Sequence, residues 1–321
     1  MKTGREIMSG LNLRCVISSG LLAAAVVALP LTAKAADLGA KDQPIKLAIN
    51  EWTGEHVTTH VAGQILEKMG YKVQYVTAGS YPQFSGLADG TLGGTLEVWM
   101  NNVGDIFPKV LQEGKIDDIG QLGLKTNEGW VYPKYVEAVC PGLPDWSALT
   151  KPGCVQALGA PETFPNGRLL DYPADWGSRS GQIIKDNNLP LTAVPGGSEG
   201  AMVAELESAV ATKKPLLMMF WAPHYIFAEV DMDWMKMPPC KSQDNDHCIN
   251  PPEVHKVLWK GFKDKWPAAY EFLKAFKMDA DQQQQMILAV DKKAQDIDAV
   301  TKAWIDSHQD VWQPWVKGAA S

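Results

Sequence analysis

The most constraining feature of this sequence is the alternation of short strand patterns with helical patterns over its first third. Residues 45–49 alternate as a strand does, and residues 55–69 carry apolar side chains at four-residue spacing. Two further strand patterns follow at residues 72–77 and 96–100. This alternation predicts an α/β fold with a mostly parallel sheet that is covered by helices.

The second half of the chain continues the alternation on a smaller scale. A long strand is predicted at residues 130–139, where the chain enters a second lobe, and a shorter one at 215–221. Helices are expected at 178–187 and 198–212, and the pattern from Glu253 onward is helical and charged. Two lobes joined by two crossings place a ligand cleft between them.

The domain prediction divides the chain into a leader and two lobes. Residues 36–135 and 226–321 form lobe 1, and residues 136–225 form lobe 2. Residues 1–35 combine a basic start, an apolar run and a small-x-small site that ends at Ala35, which predicts a signal peptide cleaved after Ala35. The mature protein is then expected in the periplasm; the alternative is an uncleaved anchor helix.

Composition excludes several classes of protein. The chain has 321 residues, of which 45% are hydrophobic and 21% are charged, with a net charge of −7. These values are typical of a soluble globular protein and argue against disorder or a fibrous repeat. The negative charge also argues against a nucleic-acid partner or an anionic membrane.

Four cysteines follow the predicted signal peptide, namely Cys140, Cys154, Cys240 and Cys248. An even number in an exported protein indicates two disulfides. Pairing of sequence neighbours, 140 with 154 and 240 with 248, is the simplest of three connectivities. A zinc site is the competing interpretation, although the spacings fit no common zinc pattern.

Five of the twelve tryptophans occupy positions that would face the predicted cleft. Trp52 follows the first strand, Trp99 ends the third, and Trp221 ends the strand at 215–221. Trp130 lies near the first crossing, and Trp176 lies in a glycine-containing loop before a helix. The alternative for each of them is ordinary packing in the core.

Several indole rings around one cleft suit a weakly hydrated cation. The ring face is electron-rich and attracts a quaternary ammonium group, at roughly 0.5–2 kcal/mol for each contact. Three or four such contacts approach the ~8 kcal/mol that micromolar binding requires, once the costs of association are subtracted. The tryptophan pattern therefore predicts a cage for a methylated amine.

Four segments carry a resemblance to a known family. A strand followed by Trp-Thr, the sequence LEVWM at 96–100, DWG at 175–177 and FWAPH at 220–224 resemble the glycine betaine/choline substrate-binding proteins of ABC importers. The resemblance extends over roughly residues 44–310. It implies a two-lobed periplasmic-binding fold of type II, a monomeric binding protein, and an ABC permease with its ATPase subunit as partners.

The resemblance also implies which residues form the cage. Trp52, Trp99, Trp130 and Trp221 match its cage positions, and Trp176 matches a loop tryptophan of the betaine-binding branch. These five residues and Glu128 are the predicted ligand-binding residues.

The residues around the cage favour one ligand. Gly54 stands where choline-binding members place an aspartate, which weakens a choline prediction. Glu128, two residues before Trp130, would repel the carboxylate of glycine betaine, although Arg179 could attract it. A protonated Glu128 could donate to the oxygen of trimethylamine N-oxide in a charge-assisted hydrogen bond. The Asn-Glu-Gly-Trp segment resembles trimethylamine N-oxide-binding members, so this ligand is favoured, and glycine betaine and choline are the alternatives.

An acidic loop outside the cage offers ligands for a hard cation. Asp244, Asp246 and Glu253 supply oxygen atoms of the kind that calcium prefers, in a loop bracketed by cysteines. The alternative is a solvated acidic loop without an ion. No cofactor is required for the predicted function, and a structural calcium ion is the single candidate.

The sequence lacks the motifs of common catalytic sites. It contains no Gly-x-Ser-x-Gly elbow, no His-Glu-x-x-His and no phosphate-binding loop. His56 and His60, four residues apart, could bind a metal, but polar residues on a helix face are the simpler interpretation. The protein is therefore predicted to be a binding protein and not an enzyme.

Overall fold

Two five-stranded sheets form the core of the protein. The structure, a computed structural model, describes residues 37–240 and 247–319. The first sheet consists of β1 (Ile45–Ile49), β2 (Val73–Thr77), β3 (Gly94–Trp99), β4 (Ile116–Gln121) and β10 (Val254–Trp259). The second consists of β5 (Asn127–Pro133), β6 (Gly167–Asp171), β7 (Leu191–Pro195), β8 (Met218–Ala222) and β9 (Met232–Trp234). The strand orders are β2-β1-β3-β10-β4 and β7-β6-β8-β5-β9.

Helices connect and cover the strands. Within the described residues they are α1 (Thr53–Lys68), α2 (Pro82–Ala88), α3 (Ile106–Gln112), α4 (Pro152–Ala157), α5 (Ser180–Asp186), α6 (Glu199–Thr212), α7 (Ile226–Glu229), α8 (Phe262–Lys265), α9 (Pro267–Ala275), α10 (Ala280–Ile287), α11 (Ile297–Ser307) and α12 (Gln309–Ala319). In this part of the chain, none of them has the length and apolar character needed to span a membrane.

The predicted α/β class is confirmed, but the expectation of mostly parallel sheets is wrong. Strand β1 pairs in parallel with both β2 and β3, and β6 pairs in parallel with both β7 and β8. Strand β10, however, lies antiparallel between β3 and β4, and β5 lies antiparallel between β8 and β9. Each sheet is mixed because each receives a strand from a chain segment that crosses over from the other sheet.

Strand β10 contradicts the prediction of a helical segment from Glu253 onward. Its sequence, VHKVLW, contains the charged residue Lys256, which is 0% exposed. The Lys256 ammonium donates to the carbonyl oxygens of Leu273, Lys274 and Phe276 at 2.8, 3.0 and 2.6 Å. A lysine that binds the free carbonyls at the end of α9 can occupy a buried strand position, and the sequence pattern does not reveal this partner.

Strand β5, the first strand of the second sheet, differs from the strand predicted at 130–139. Strand β5 ends at Pro133, so the strand predicted at 130–139 is shorter than expected; a short 3-10 helix, Lys134–Ala138, follows. The chain reaches the second sheet before Asn127 and leaves it after Trp234. The predicted lobe limits at 135/136 and 225/226 stay predictions.

Two disulfides confirm the predicted pairing of sequence neighbours. Cys140 is bonded to Cys154, and Cys240 is bonded to Cys248. The first bridge ties the segment after β5 to α4, and the second closes the base of a loop. The predicted signal peptide at 1–35 and the predicted calcium ligands Asp244 and Asp246 lie outside the residues that the structure describes.

Candidate functional site

Four of the predicted cage tryptophans lie where strands end or loops begin. Trp52 immediately precedes α1, Trp99 is the last residue of β3, and Trp221 lies in β8 near its end. Trp176 lies in the loop between β6 and α5. That loop turns at Gly177, whose φ is +80°, and a Cβ there would lie 2.5 Å from the Tyr81 hydroxyl oxygen. Only glycine fits this turn, which directs the chain around Trp176.

The Trp176 ring contacts the rings of both Trp52 and Trp221 in edge-to-face arrangements. The Trp176 ring centre lies 5.2 Å from that of Trp52 and 5.5 Å from that of Trp221, with interplanar angles of 64° and 73°. Tyr172 lies 5.7 Å from both Trp176 and Trp221. Trp52, like Trp99, belongs to the first sheet's side, whereas Tyr172, Trp176 and Trp221 belong to the second, so rings from both parts of the fold meet.

These rings enclose a small cavity. Six aromatic side chains contribute to its walls, namely Trp52, Phe84, Trp99, Tyr172, Trp176 and Trp221. The carboxylates of Glu97 and Glu128 also face it. The cavity volume is about 40 Å³, whereas a site for one water molecule needs roughly 10–15 Å³ on the same scale. The space therefore suits a ligand of a few non-hydrogen atoms.

Trp130 is the predicted cage residue that the structure does not bring to the cavity. Its side chain is 0% exposed and lies outside the cavity lining, and its indole nitrogen donates to the Ser180 hydroxyl at 3.0 Å. Glu128 and Trp130 share a face of β5, but two residues along a strand span almost 7 Å. Only Glu128 reaches the cavity, and Tyr172 supplies an aromatic wall that the sequence analysis did not predict.

Glu97 holds two of the cage tryptophans through one oxygen atom. Its Oε1 accepts hydrogen bonds from the indole nitrogens of Trp52 at 2.9 Å and Trp99 at 3.1 Å. Its Oε2 accepts from the Thr58 hydroxyl at 3.1 Å and the Gln283 amide at 2.7 Å. Burial raises the pKa of Glu97, while these four hydrogen bonds act in the opposite direction.

A second buried carboxyl group, Glu55, lies close to Glu97 but outside the cavity lining. Its Oε2 accepts from the Asn50 backbone N–H at 2.7 Å, and its Oε1 lies 3.2 Å from the Thr95 hydroxyl. Burial, and then the charge of Glu97, raise the pKa of Glu55 to about 8. The Glu55 carboxyl group therefore keeps its proton at neutral pH.

We expect Glu55→Gln to stabilise the protein at about pH 8 and to have little effect near pH 5. In the unfolded chain Glu55 titrates near 4.5, whereas burial in the folded protein raises its pKa to about 8. The folded state then binds more protons between these values, so the free energy of unfolding falls as pH rises through this window. Glutamine resembles the protonated carboxyl group and does not titrate, so the variant does not lose stability in this pH range. Melting curves of both proteins from pH 5 to 8 test this, and a constant difference would contradict it.

Glu128 lies at the polar end of the cavity and is 5% exposed. Its two oxygens accept from the side-chain amides of Asn101 at 2.8 Å and Asn102 at 2.7 Å. Burial raises the pKa of Glu128, and hydrogen bonds from Asn101, Asn102 and Tyr172, together with the charge of Arg179, oppose that rise. Arg179 lies outside the cavity lining, since its guanidinium donates to Asn101 Oδ1 at 3.0 Å.

A polar contact joins the two sheets beside the cavity. Glu199, at the start of α6, accepts a hydrogen bond from the Thr53 backbone N–H at 2.8 Å. Its other oxygen lies 3.2 Å from His224 Nε2, and His224 Nδ1 accepts from the Ile226 N–H. This second bond assigns the His224 proton to Nε2. Glu199, His224 and Asp291 lie close enough together to hold a metal ion. In this tautomer, however, the Nε2 atom of His224 carries a proton that faces the Glu199 carboxylate, so Nε2 is not available as a metal ligand.

Glu253, the third predicted calcium ligand, contacts a histidine side chain. One of its carboxylate oxygens lies 3.1 Å from His255 Nε2, and His255 Nδ1 lies 2.7 Å from Asp118. Because its predicted companions Asp244 and Asp246 are outside the described residues, the calcium site stays a prediction.

Sequence reasoning missed several residues of the site, and three of them illustrate different reasons. Tyr172 immediately follows β6, a strand whose apolar residues were not recognised, and the strand-end rule would then have identified it. Asn102 follows Trp99 within the same turn and carries a donor. Glu97 shares a strand face with Trp99 because side chains alternate with period two, which is a usable signal.

Comparisons with known proteins agree with this geometry. The family model for the substrate-binding domain of ABC-type glycine betaine transport systems matches residues 43–307. A trimethylamine N-oxide-binding protein from Pelagibacter ubique is 27% identical over 312 residues, which cover 92% of this chain and 98% of that protein.

Two solved structures share the fold. Lactococcal OpuAC, in its closed form with glycine betaine, has a TM-score of 0.72 at 20% identity, covering 86% of this chain and 100% of its own. An ABC-transporter choline-binding protein in complex with choline has a TM-score of 0.71 at 15% identity, covering 86% and 92%. With a family model that spans most of its length, the chain belongs to the substrate-binding domains of ABC-type glycine betaine transport systems.

Proposed function

We propose that the protein captures a small methylated amine in the aromatic cavity, and that trimethylamine N-oxide is its preferred ligand. The observation that carries the proposal is the meeting of six aromatic rings around a cavity of about 40 Å³. The rings offer electron-rich faces to a methylated nitrogen. The proposed ligand-binding residues are Trp52, Trp99, Glu128, Tyr172, Trp176 and Trp221.

The wall formed by Glu128 favours the N-oxide over glycine betaine. A ligand carboxylate next to Glu128 would place two negative groups together in a buried site, which costs free energy. The N-oxide oxygen accepts a hydrogen bond, and burial raises the pKa of Glu128 so that its proton is retained more readily. The Pelagibacter relative, named as a trimethylamine N-oxide-binding protein, supports the same ligand.

Choline is the second candidate ligand. Its hydroxyl group would donate to an ionised Glu128, and the two asparagine amides that already bind this carboxylate favour the ionised form. Gly54 offers no carboxylate beside Trp52, and the small cavity argues against the longer molecule. Glycine betaine ranks behind both because of its own carboxylate.

Titration calorimetry with trimethylamine N-oxide, choline, glycine betaine and carnitine tests the proposal. We expect the N-oxide to bind most tightly and carnitine, the largest of the four, most weakly. Tightest binding of betaine would overturn the ranking but leave the aromatic cavity as the site. Absence of binding by all four would overturn the proposed function.

We expect Glu128→Gln to weaken binding of trimethylamine N-oxide about tenfold, which corresponds to roughly 1.4 kcal/mol. The substitution replaces a charge-assisted hydrogen bond by a neutral one, and the neutral bond is about half as strong. Glycine betaine should bind as well or better, because glutamine cannot ionise and so never places a negative charge next to the betaine carboxylate. Calorimetry on the variant measures both ligands.

Glu113→Gln, at an exposed position on the first sheet's side, is the matched control and should leave both affinities unchanged. Equal losses for the N-oxide and betaine would show that Glu128 maintains the shape of the cavity and does not discriminate between ligands.

The proposal also includes the location, the partners and the domain organisation of the protein. The family is one of transport substrate-binding domains, which supports an exported, monomeric protein that delivers its ligand to an ABC permease and ATPase. The signal peptide at 1–35 and a structural calcium ion in the acidic loop belong to this proposal. We also propose two lobes, each built around one of the two sheets, with the chain crossing between β4 and β5 and again between β9 and β10.

A further inference from the structure

Glu97 joins the walls of the cavity to one another. We propose that Glu97 is the positioning residue of the cage: its carboxylate fixes the rings of Trp52 and Trp99 at the angle that a methylated nitrogen requires. This inference deepens the proposed function and rests on it for the identity of the ligand. Its geometric part, the orientation of two indole rings by one carboxylate, can be tested without any ligand.

The geometry makes Glu97 the shared anchor of two rings that come from different elements. Trp52 precedes α1 and Trp99 ends β3, yet both indole nitrogens donate to the same atom, Glu97 Oε1. An indole N–H is a donor and never an acceptor. Each hydrogen bond therefore removes the freedom of one ring to rotate about its side-chain torsions, and a common acceptor fixes one ring relative to the other.

The other oxygen of Glu97 is held just as firmly. Oε2 accepts from Thr58 and Gln283, and the same Gln283 amide lies 3.1 Å from the Gly54 carbonyl oxygen. Glu97 itself is 1% exposed. With four donors directed at two oxygens, the carboxylate has no freedom to turn away from the rings, so the anchor is rigid.

The carboxylate also changes the electrostatics of the rings that it holds. Hydrogen bonding of an indole N–H to an anion polarises the ring and makes its face more electron-rich, since neighbouring hydrogen-bonded groups polarise one another. A cation on that face is then bound more tightly. Glu97 therefore acts on the ligand through the two tryptophans in addition to facing the cavity.

The test compares Glu97→Gln with Glu55→Gln, a substitution at an equally buried neighbour that bonds to neither indole. In the nuclear magnetic resonance spectrum of the ligand-free protein, we expect Glu97→Gln to shift the indole N–H signals of Trp52 and Trp99 upfield and to speed their hydrogen exchange. The Trp130 signal, whose N–H donates to Ser180, should stay in place. Glu55→Gln should leave all three signals unchanged. Trp52→Phe and Trp99→Phe assign the signals.

Calorimetry supplies the second readout. We expect Glu97→Gln to weaken trimethylamine N-oxide and tetramethylammonium binding more than tenfold, and Glu55→Gln to change either affinity less than threefold. A folded Glu97→Gln protein with unshifted indole signals and unchanged affinities would overturn the inference. If Glu97→Gln does not fold, Trp99→Phe, which keeps a ring but removes the donor, replaces it, and unchanged affinity in that variant overturns the inference.

The two proposals fail in distinguishable ways. Absence of ligand binding by the unsubstituted protein would refute the proposed function, while the shifts of the indole signals would still report whether Glu97 anchors the rings. Normal binding by the unsubstituted protein together with unshifted signals in Glu97→Gln would refute the anchoring alone.

Discussion

Replacing Trp99 with alanine should weaken binding of trimethylamine N-oxide at least tenfold while the protein stays folded. Trp99 contributes one wall of the cavity, and its ring face supplies a cation–π contact of roughly 0.5–2 kcal/mol, more when desolvated. Its removal also opens the cavity to water, which weakens the contacts that remain. Titration calorimetry measures the affinity, and a melting curve verifies folding.

Two further variants separate the loss of a π face from a general loss of packing. Trp99→Leu keeps an apolar side chain without an aromatic ring, so we expect it to bind nearly as poorly as Trp99→Ala. Trp315→Ala removes a partly buried tryptophan that packs against Phe276, away from the cavity, and should leave affinity unchanged. Affinity within threefold of the original in Trp99→Ala would reassign Trp99 to packing.

Replacing Lys256 with methionine should lower the free energy of unfolding by about 3 kcal/mol. Methionine fills a similar volume but leaves the carbonyl oxygens of Leu273, Lys274 and Phe276 without the donor that they share. A buried acceptor that loses its donor keeps its full desolvation cost. At roughly 2–4 °C for each kcal/mol in a domain of this size, the melting temperature should fall by about 6–12 °C.

Lys260→Met is the matched control for Lys256→Met, because Lys260 lies at the surface in an ion pair with Asp117. Exposed ion pairs contribute little, so we expect a change below about 0.5 kcal/mol. Equal melting temperatures for the two variants would show that the three carbonyls find other partners. Ligand affinity should change in neither variant, since both lysines lie outside the cavity lining.

Much of the site could be predicted because its residues lie at the ends of recognisable strands. Trp52, Trp99 and Trp221 follow or end apolar segments, and loops at strand ends converge on one edge of a sheet. Trp176 could be located from the glycine that follows it. These positions depend on local patterns, and local patterns are what a single sequence records well.

The features that could not be predicted depend on contacts between residues that are far apart in the sequence. Strand β10 was not recognised because it contains the charged residue Lys256. The carbonyl oxygens that accept from Lys256 lie about twenty residues later, at the end of α9. Trp130 was predicted to be a cage residue because it lies near the first crossing and matches a cage position of the resembled family. The structure instead directs its indole nitrogen to the Ser180 hydroxyl, a partner fifty residues away. The role of Glu97 requires the positions of two indole nitrogens at once, which no spacing rule supplies.

The hydrogen bond between Glu199 and the Thr53 N–H has a consequence for how long any ligand remains bound. Thr53 directly follows Trp52, so separation of the two sheets must break this bond before the rings part. The bond lies outside the cavity and cannot distinguish one ligand from another. It therefore adds the same contribution to the barrier for release of every occupant, whereas differences in residence time among occupants come from the cavity walls.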